Sequence, residues 1–292
     1  MKCFYHADND GKCAGFWVYR DASHYDGYGK EFIQINYGTQ FPLDTIQPNE
    51  QVFIVDYSIE VEEMRKLLEI TKDVTWIDHH ISAIEKYNDF DIPIKGIRYD
   101  GIAGCMLTYC YLKIMTSSGV GKVLAFDPEM VTHAPKFTKL IADWDVWKFE
   151  FGDQTRLFNM GFEIYDKSPE DKIWLEMLNN PTLVYRIIED GKLLTKYRDM
   201  WSKNYCETKG FEVEFERYKC FAMNLGCCNS EYFNSLDKSK YDILIPFCFD
   251  GNLYTYSLYS TNVDVSKIAQ KYGGGGHKGA SGFQSKELVF RK

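Results

Sequence analysis

The chain has 292 residues, a formal net charge of −8 and a sequence pI near 5.4. Its hydrophobic fraction of 45% excludes an intrinsically disordered protein. No apolar run approaches the roughly 20 residues that cross a bilayer, and no signal-peptide hydrophobic stretch is present. Long duplex nucleic acid is disfavoured as a partner because no Lys/Arg block offers a basic face to its phosphates. We expect a cytoplasmic globular protein without a membrane partner.

The first half of the chain alternates short apolar strands with helical patterns. Strands are predicted at residues 2–5, 32–36, 52–55 and 74–77, and helices at 61–70, 102–115 and 136–142. Strands that alternate with helices indicate an α/β fold with a mostly parallel sheet and flanking helices.

The second half changes character. Residues 169–208 are helical and charged, and strands follow at 212–215, 220–223, 243–249 and 254–259, with a helix at 265–271. We predict an N-terminal domain at residues 1–165, a helical linker at 166–208, and a smaller α/β domain at 209–292.

Three polar clusters follow three of the predicted strands. Their members are His6, Asp8 and Asp10 after the first strand, Asp56 after the third, and Asp78, His79 and His80 after the fourth. A single Asp after a strand is more often a turn residue or helix cap than a ligand. However, three of the six histidines fall in these clusters. Because ligands of open α/β sheets bind outside the carboxyl ends of the strands, we expect the clusters to converge on one site.

The residue types in these clusters indicate the chemistry. Carboxylates and imidazoles without thiolates suit manganese or magnesium, and imidazole favours manganese. The nine cysteines are odd in number and contain no Cys-x-x-Cys spacing, so we expect free thiols in a reducing compartment and no thiolate metal site. Two divalent ions roughly 3.5–4 Å apart can activate water and stabilise both oxygens of a phosphoryl displacement. Metal-assisted phosphoester hydrolysis is the predicted reaction class.

A glycine run near the end of the chain predicts a phosphate contact. Four consecutive glycines are usually a flexible linker. Here Gly273 is followed by Gly274, Gly275 and Gly276 and then by His277 and Lys278. Glycine backbone N–H groups can approach phosphate oxygens closely, and the two side chains add donors, so we predict that residues 274–278 bind a substrate phosphate.

Together these motifs resemble the DHH phosphoesterase family. The first motif is His6-Ala7-Asp8-Asn9-Asp10-Gly11, the second Val55-Asp56, the third Asp78-His79-His80 and the fourth Ile141-Ala142-Asp143. Residues 273–282 are similar to the glycine signature of the DHH-associated substrate domain, so the resemblance spans nearly the whole chain. Asp145, two residues after Asp143, is a second candidate for the fourth motif; Asp143 fits the end of the apolar run better.

The resemblance implies a ligand set. One metal would be held by His6, Asp8, Asp56 and Asp143, and the other by Asp10, Asp56, His79 and Asp143. Asp78 would orient an imidazole, and His80 would face the scissile phosphate as a donor. Two divalent ions are implied, with manganese preferred over magnesium or cobalt.

The implied activity is a hydrolase of short oligonucleotides or small nucleotides such as pAp or linear and cyclic dinucleotides. Alternatives are an inorganic pyrophosphatase, a RecJ-like single-strand exonuclease, and a nucleotide-binding sensor without catalysis. Family members often carry an Arg in a Ser-hydrophobic-Arg-Ser strand of the second domain, whereas Tyr259 stands there in this chain. The sequence leaves both a monomer and a homodimer open.

Overall fold

The computed structural model describes residues 1–21, 29–118 and 128–290 of the chain. Its residues divide into two compact units, Met1–Lys192 and Leu193–Lys292. The predicted α/β class is confirmed, whereas the predicted limits of domains and linker stay predictions. Within the described ranges, no helix has both the length and the apolarity that a membrane span requires.

A four-stranded parallel sheet forms the centre of the first unit. Its strands are β1 (Lys2–His6), β2 (Glu31–Ile35), β3 (Val52–Val55) and β4 (Val74–Ile77), in the order β2-β1-β3-β4. The chain adds β2 on one side of β1 and then β3 and β4 on the other side, so the direction in which strands are added reverses between β1 and β3. This is the kind of switch point at which open α/β sheets bind their ligands.

The described part of the first unit also contains α-helices. They are α1 (Asn9–Asp21), α2 (Val61–Ile70), α3 (Ile81–Lys86), α4 (Gly104–Ser118), α5 (Lys136–Asp145), α6 (Asp153–Phe162) and α7 (Lys172–Asn179). Alternate strand residues face two hydrophobic clusters: Val55 belongs to one with Phe16 and Trp174, and Ile54 to another with Met64. Since apolar clusters cover both faces, the strands β1, β3 and β4 are buried over most of their length.

The 28-residue helix α8 (Thr182–Lys209) contributes residues to both units. The second unit contains a six-stranded sheet of order β5-β6-β7-β8-β10-β9, in which only β6 and β7 pair in parallel. The strands are β5 (Phe211–Phe215), β6 (Tyr218–Asn224), β7 (Ile243–Phe249), β8 (Tyr254–Tyr259), β9 (Gly275–His277) and β10 (Ala280–Ser285), and the helix α9 (Val265–Lys271) precedes β9.

Candidate metal centre

The ends of three neighbouring strands bring the predicted clusters together. β1, β3 and β4 lie side by side, and their carboxyl ends lead into His6, Asp56 and Asp78 respectively. Three overlapping groups of side chains within this region could each hold a metal ion. They are His6, Asp8 and Asp56; Asp10, His79 and Asp145; and Asp56, His79 and His80. In each group the ligand atoms lie within 4.8 Å of one another.

The start of helix α1 positions the first group. Nδ1 of His6 lies 2.7 Å from Oδ2 of Asp8 and 3.8 Å from Oδ2 of Asp56. Oδ1 of Asp8 accepts the N–H of Gly11 at 2.9 Å, which caps α1 directly behind β1. Burial acts to raise the pKa of Asp8, but the hydrogen bond and charge of His6, together with the Gly11 N–H, lower it to about 2.

Asp10 is held by the start of helix α4. Its carboxylate accepts the backbone N–H groups of Gly104 at 2.7 Å and Cys105 at 3.0 Å. Carboxylates are stabilised at helix N-termini by these otherwise unpaired N–H groups. The contact fixes the orientation of Asp10 and draws α4 against the site.

Asp56 lies at the centre of the cluster, where both its backbone conformation and the burial of its carboxylate are energetically unfavourable. It is 1% exposed and has a backbone φ of +52°, in the left-handed region. Neither of its carboxylate oxygens has a hydrogen-bond partner among the described residues. Burial, and then the charges of Asp10, Asp8 and Asp145, raise its pKa well above the ordinary value.

His79 and Asp145 complete the buried part of the site. Nε2 of His79 lies 3.3 Å from Oδ1 of Asp56 and 3.3 Å from Oδ2 of Asp145. Burial lowers the pKa of His79, which favours the neutral imidazole that a metal requires. Burial and the charges of Asp10, Asp8 and Asp78 raise the pKa of Asp145.

Asp78 orients the two histidines that follow it. Its Oδ1 accepts the backbone N–H of His79 at 2.8 Å and lies 2.7 Å from Nδ1 of His80. Burial acts to lower the pKa of His80, but the hydrogen bond and charge of Asp78 outweigh it and raise the pKa. Asp78 thus contacts both the backbone of His79 and the ring of His80, whose other nitrogen, Nε2, lies on the far side of the ring from this hydrogen bond.

The fourth motif requires a correction. Asp143 is buried outside the cluster, and its carboxylate accepts the backbone N–H groups of Glu150 at 2.8 Å and Phe151 at 3.2 Å, as well as the hydroxyl of Thr155. The structure brings Asp145 to the site in its place. Residues two apart on a helix point roughly 200° apart, so α5 can direct only one of the two carboxylates toward His79.

The donor set fits divalent cations. The polar atoms that are buried there without a hydrogen-bond partner, within the described part of the chain, are both carboxylate oxygens of Asp56, Oδ2 of Asp78, Nε2 of His79 and Oδ2 of Asp145. Unpaired buried polar atoms and mutually repelling carboxylates are costly unless cations satisfy them. Oxygen and imidazole ligands suit the harder divalent metals.

Two features of the site escaped the sequence analysis. A Cβ atom at Gly104 would lie 2.6 Å from Cβ of Asp56, so only glycine fits there. Tyr37, 52% exposed, lies with its ring 5.6 Å from that of His6 and 4.8 Å from that of Tyr57. The Ala103-Gly104 pair just inside an apolar helix pattern was the available signal for the first; no sequence signal singled out Tyr37.

The glycine run of the second unit forms an exposed hairpin instead of an irregular loop. Gly274 donates its N–H to Ala269 at 2.9 Å and helps to end α9, whereas Gly275, Gly276 and His277 form the edge strand β9. Gly276 has a φ of +131°, which favours glycine. The side chains of His277 and Lys278 are exposed. The amide of Gly274 is therefore committed to the helix end, and the exposed groups of the hairpin begin at Gly275.

Comparison with known proteins supports the motif assignment. No protein-family profile matches the chain. It is 28% identical over 259 residues to the uncharacterized protein R106 of Acanthamoeba polyphaga mimivirus, covering 85% of this chain and 55% of that protein. It is 26% identical over 255 residues to the oligoribonuclease NrnB of Bacillus subtilis (strain 168), covering 82% of this chain and 61% of that protein. The chain thus spans little more than half the length of these curated relatives.

A solved structure shares the fold. RecJ of Thermus thermophilus in complex with Mn²⁺ is 13% identical, with a TM-score of 0.51, covering 97% of this chain and 49% of that one. The Asp-His-His motif occupies the end of β4 beside the ends of β1 and β3, and the sequence relatives include an oligoribonuclease. These observations all point to the DHH phosphoesterase family, which the motifs of the chain resemble.

Proposed function

We propose that this chain hydrolyses phosphoester bonds of short oligonucleotides or small nucleotides with the help of two divalent cations, manganese in the first place. The observation that carries the proposal is the set of buried carboxylate and imidazole atoms that converge at the ends of β1, β3 and β4 without hydrogen-bond partners among the described residues. Several such atoms close together, most of them on carboxylates, are costly to bury, and bound cations would satisfy them.

The proposed ligands follow the grouping of the side chains. His6, Asp8 and Asp56 would hold one cation, and Asp10, Asp56, His79 and Asp145 the other. Asp56 would be shared, because its two oxygens lie toward His6 and His79. Asp145 replaces Asp143 in this proposal. When bound, the cations would neutralise the carboxylates and polarise a phosphoryl oxygen as Lewis acids.

The chain's own groups have separate tasks in this proposal. His80 would donate a hydrogen bond from Nε2 to the scissile phosphate, because its Nδ1 is engaged by Asp78 at 2.7 Å. Its raised pKa favours the protonated ring that such a donor requires. Asp78 would fix the direction of the ring and stabilise its charge.

Three observations support the proposed substrate class. The similar Bacillus subtilis protein is named an oligoribonuclease. The net charge of −8 disfavours long polyanions. The exposed His277 and Lys278 offer donors for a phosphate at the glycine hairpin.

One assay tests the proposal directly. Initial rates would be measured with manganese, magnesium or cobalt, and with chelator, on a panel of short RNA and DNA oligomers, pAp, linear and cyclic dinucleotides and pyrophosphate. We expect nucleotide phosphoesters to be cleaved fastest with manganese and no turnover with chelator. Asp56→Asn should abolish turnover, whereas the exposed Asp44→Asn in the same unit serves as a matched control.

Three results would contradict the proposal. Full activity in demetallated protein would exclude the metal mechanism. Cleavage of pyrophosphate alone would identify a pyrophosphatase. Tight nucleotide binding without turnover of any substrate would identify a sensor.

A further inference from the structure

A cavity of about 410 Å³ lies beside the acidic cluster, and no role has been assigned to most of its wall. Asp8, Asp10 and Asp145 lie on one part of that wall. The rest includes two tryptophans, Trp144 and Trp147, and two lysines, Lys12 and Lys167. The cavity therefore joins the candidate metal centre to an aromatic and cationic surface within the same unit.

The aromatic part of the wall, formed by Trp144 and Trp147, is open to solvent, although such large aromatic side chains are usually buried. The rings of Trp144 and Trp147 lie 4.7 Å apart at 59°, and Trp147 is 47% exposed. The ring of Phe149 lies 4.7 Å from that of Trp147, and Arg156 stacks over Phe149 at 3.8 Å. Phe149 and Arg156 thus support Trp147 from one side and leave much of its indole surface open.

The backbone of this segment is held in a conformation that bulky residues avoid. Trp147 and Phe149 both have a φ of +56°, in the left-handed region. The carboxylate of Asp143 holds the turn by accepting hydrogen bonds from the backbone N–H groups of Glu150 and Phe151. The ammonium group of Lys148 donates a hydrogen bond to the backbone oxygen of Gly101 at 2.9 Å. Strain that is fixed in this way beside a reactive site is typical of a segment that positions a side chain for a ligand.

We propose that Trp147, backed by Trp144, is a stacking platform for a nucleobase of the substrate. Every nucleobase has a flat π-face, so stacking on indole gives affinity with little sequence preference. Lys12 would offer a cation to a phosphate in the same cavity, since Lys167 is already paired with Glu163 at 2.9 Å. The inference rests on the proposed function only in taking the reacting phosphate to lie at the acidic cluster.

Calorimetric binding of AMP and of ribose 5-phosphate, both in the presence of manganese, tests the platform without any turnover. The two probes differ only in the base. We expect Trp147→Ala to weaken AMP binding by roughly 5- to 150-fold, equivalent to about 1–3 kcal/mol at 1.36 kcal/mol per tenfold change. Ribose 5-phosphate should change by no more than about twofold.

Two control variants separate stacking from damage to the segment. Trp147→Phe should recover most of the AMP affinity, because a smaller aromatic face remains. Phe151→Ala removes another exposed aromatic ring of the same segment, 37% exposed and outside the cavity wall, and should leave both affinities unchanged. Melting temperatures of all variants would show whether the fold is retained.

The outcomes distinguish the platform from the proposed hydrolase activity. Equal weakening of both probes by Trp147→Ala, no weakening of AMP, or no measurable AMP binding to the wild-type protein would overturn the platform. Base-dependent binding that depends on Trp147, in a protein that cleaves nothing in the substrate panel, would support the platform and refute the hydrolase.

Discussion

Asp56 combines two unfavourable features at one residue. A non-glycine residue in the left-handed region costs on the order of 1–3 kcal/mol when the surroundings enforce it. Its carboxylate is also 1% exposed and without a hydrogen-bond partner among the described residues. Both costs become understandable if a cation occupies the space between Asp56 and His79, because the ion would compensate the buried charge.

Asp143 and Asp145 should respond to substitution in opposite ways. Without metal, Asp145→Asn removes a carboxylate whose pKa is raised by burial and neighbouring acids, so the melting temperature in chelator should equal or exceed that of the wild type. Asp143→Ala leaves the N–H groups of Glu150 and Phe151 unpaired and should cost about 1–3 kcal/mol.

Thermal unfolding with chelator and with manganese measures both effects. Manganese should raise the melting temperature of the wild type and of Asp143→Ala by similar amounts. It should raise that of Asp145→Asn by less, because one of the two cations loses a ligand in the folded state and contributes less binding free energy. If manganese stabilises Asp145→Asn as much as the wild type, Asp145 is not a ligand.

At the scale of secondary structure, the start of α4 connects two of the acids. Its first N–H groups hold Asp10, and Gly104 leaves the space in which Asp56 lies. The helix predicted at residues 102–115, to which the sequence analysis gave no role in the site, thus shapes the candidate site.

Gly104→Ala should therefore disturb the site as well as the packing. A Cβ atom 2.6 Å from that of Asp56 forces a shift, so we expect a loss of about 1–3 kcal/mol of stability and weaker manganese binding. Urea unfolding and calorimetric titration with manganese would measure the two losses. Gly29→Ala, where the added Cβ atom meets nothing within 4 Å, is the matched control. If Gly104→Ala leaves the manganese affinity unchanged, the start of α4 does not shape the metal centre.

The sequence was most informative where the hydrophobic pattern was simple. Strands β3, β4, β7 and β8 begin and end at the predicted residues. The first three are mainly apolar runs between polar residues, and β8 alternates between buried and partly buried residues. The sequence favoured Asp143 over Asp145 as the candidate ligand, whereas the structure places Asp145 beside His79. An apolar run marks the helix but not the direction of each carboxylate. The hairpin of β9 was missed because glycine carries no strand pattern of its own.

At the scale of the whole molecule, the charge distribution bears on substrate length. With a net charge of −8, the protein offers a long strand no general attraction beyond its specific contacts. Oligomers of a few nucleotides should therefore be cleaved faster than long strands. Initial rate against oligonucleotide length measures this, and a rate that climbs steadily with length would instead indicate a strand-processing exonuclease.

The same experiment tests the glycine hairpin. If His277 contacts a substrate phosphate with equal strength in the ground and transition states, His277→Ala should raise KM roughly tenfold or more and leave kcat nearly unchanged. Lys278→Ala should act similarly. Lys286→Ala, which removes the same charge from another exposed position of the second unit, should leave KM unchanged. If Lys278→Ala and Lys286→Ala raise KM equally, the hairpin makes no specific phosphate contact through Lys278, and only the net charge of the protein matters.

The left-handed backbone at Asp56 has a consequence for redesign of this protein. A procedure that optimises folding free energy alone would place glycine at position 56, because glycine relieves the backbone and removes a buried carboxylate. It would likewise favour a neutral side chain at position 145 and glycine at position 147. Positions 56, 145 and 147 should therefore be held fixed when the scaffold is stabilised.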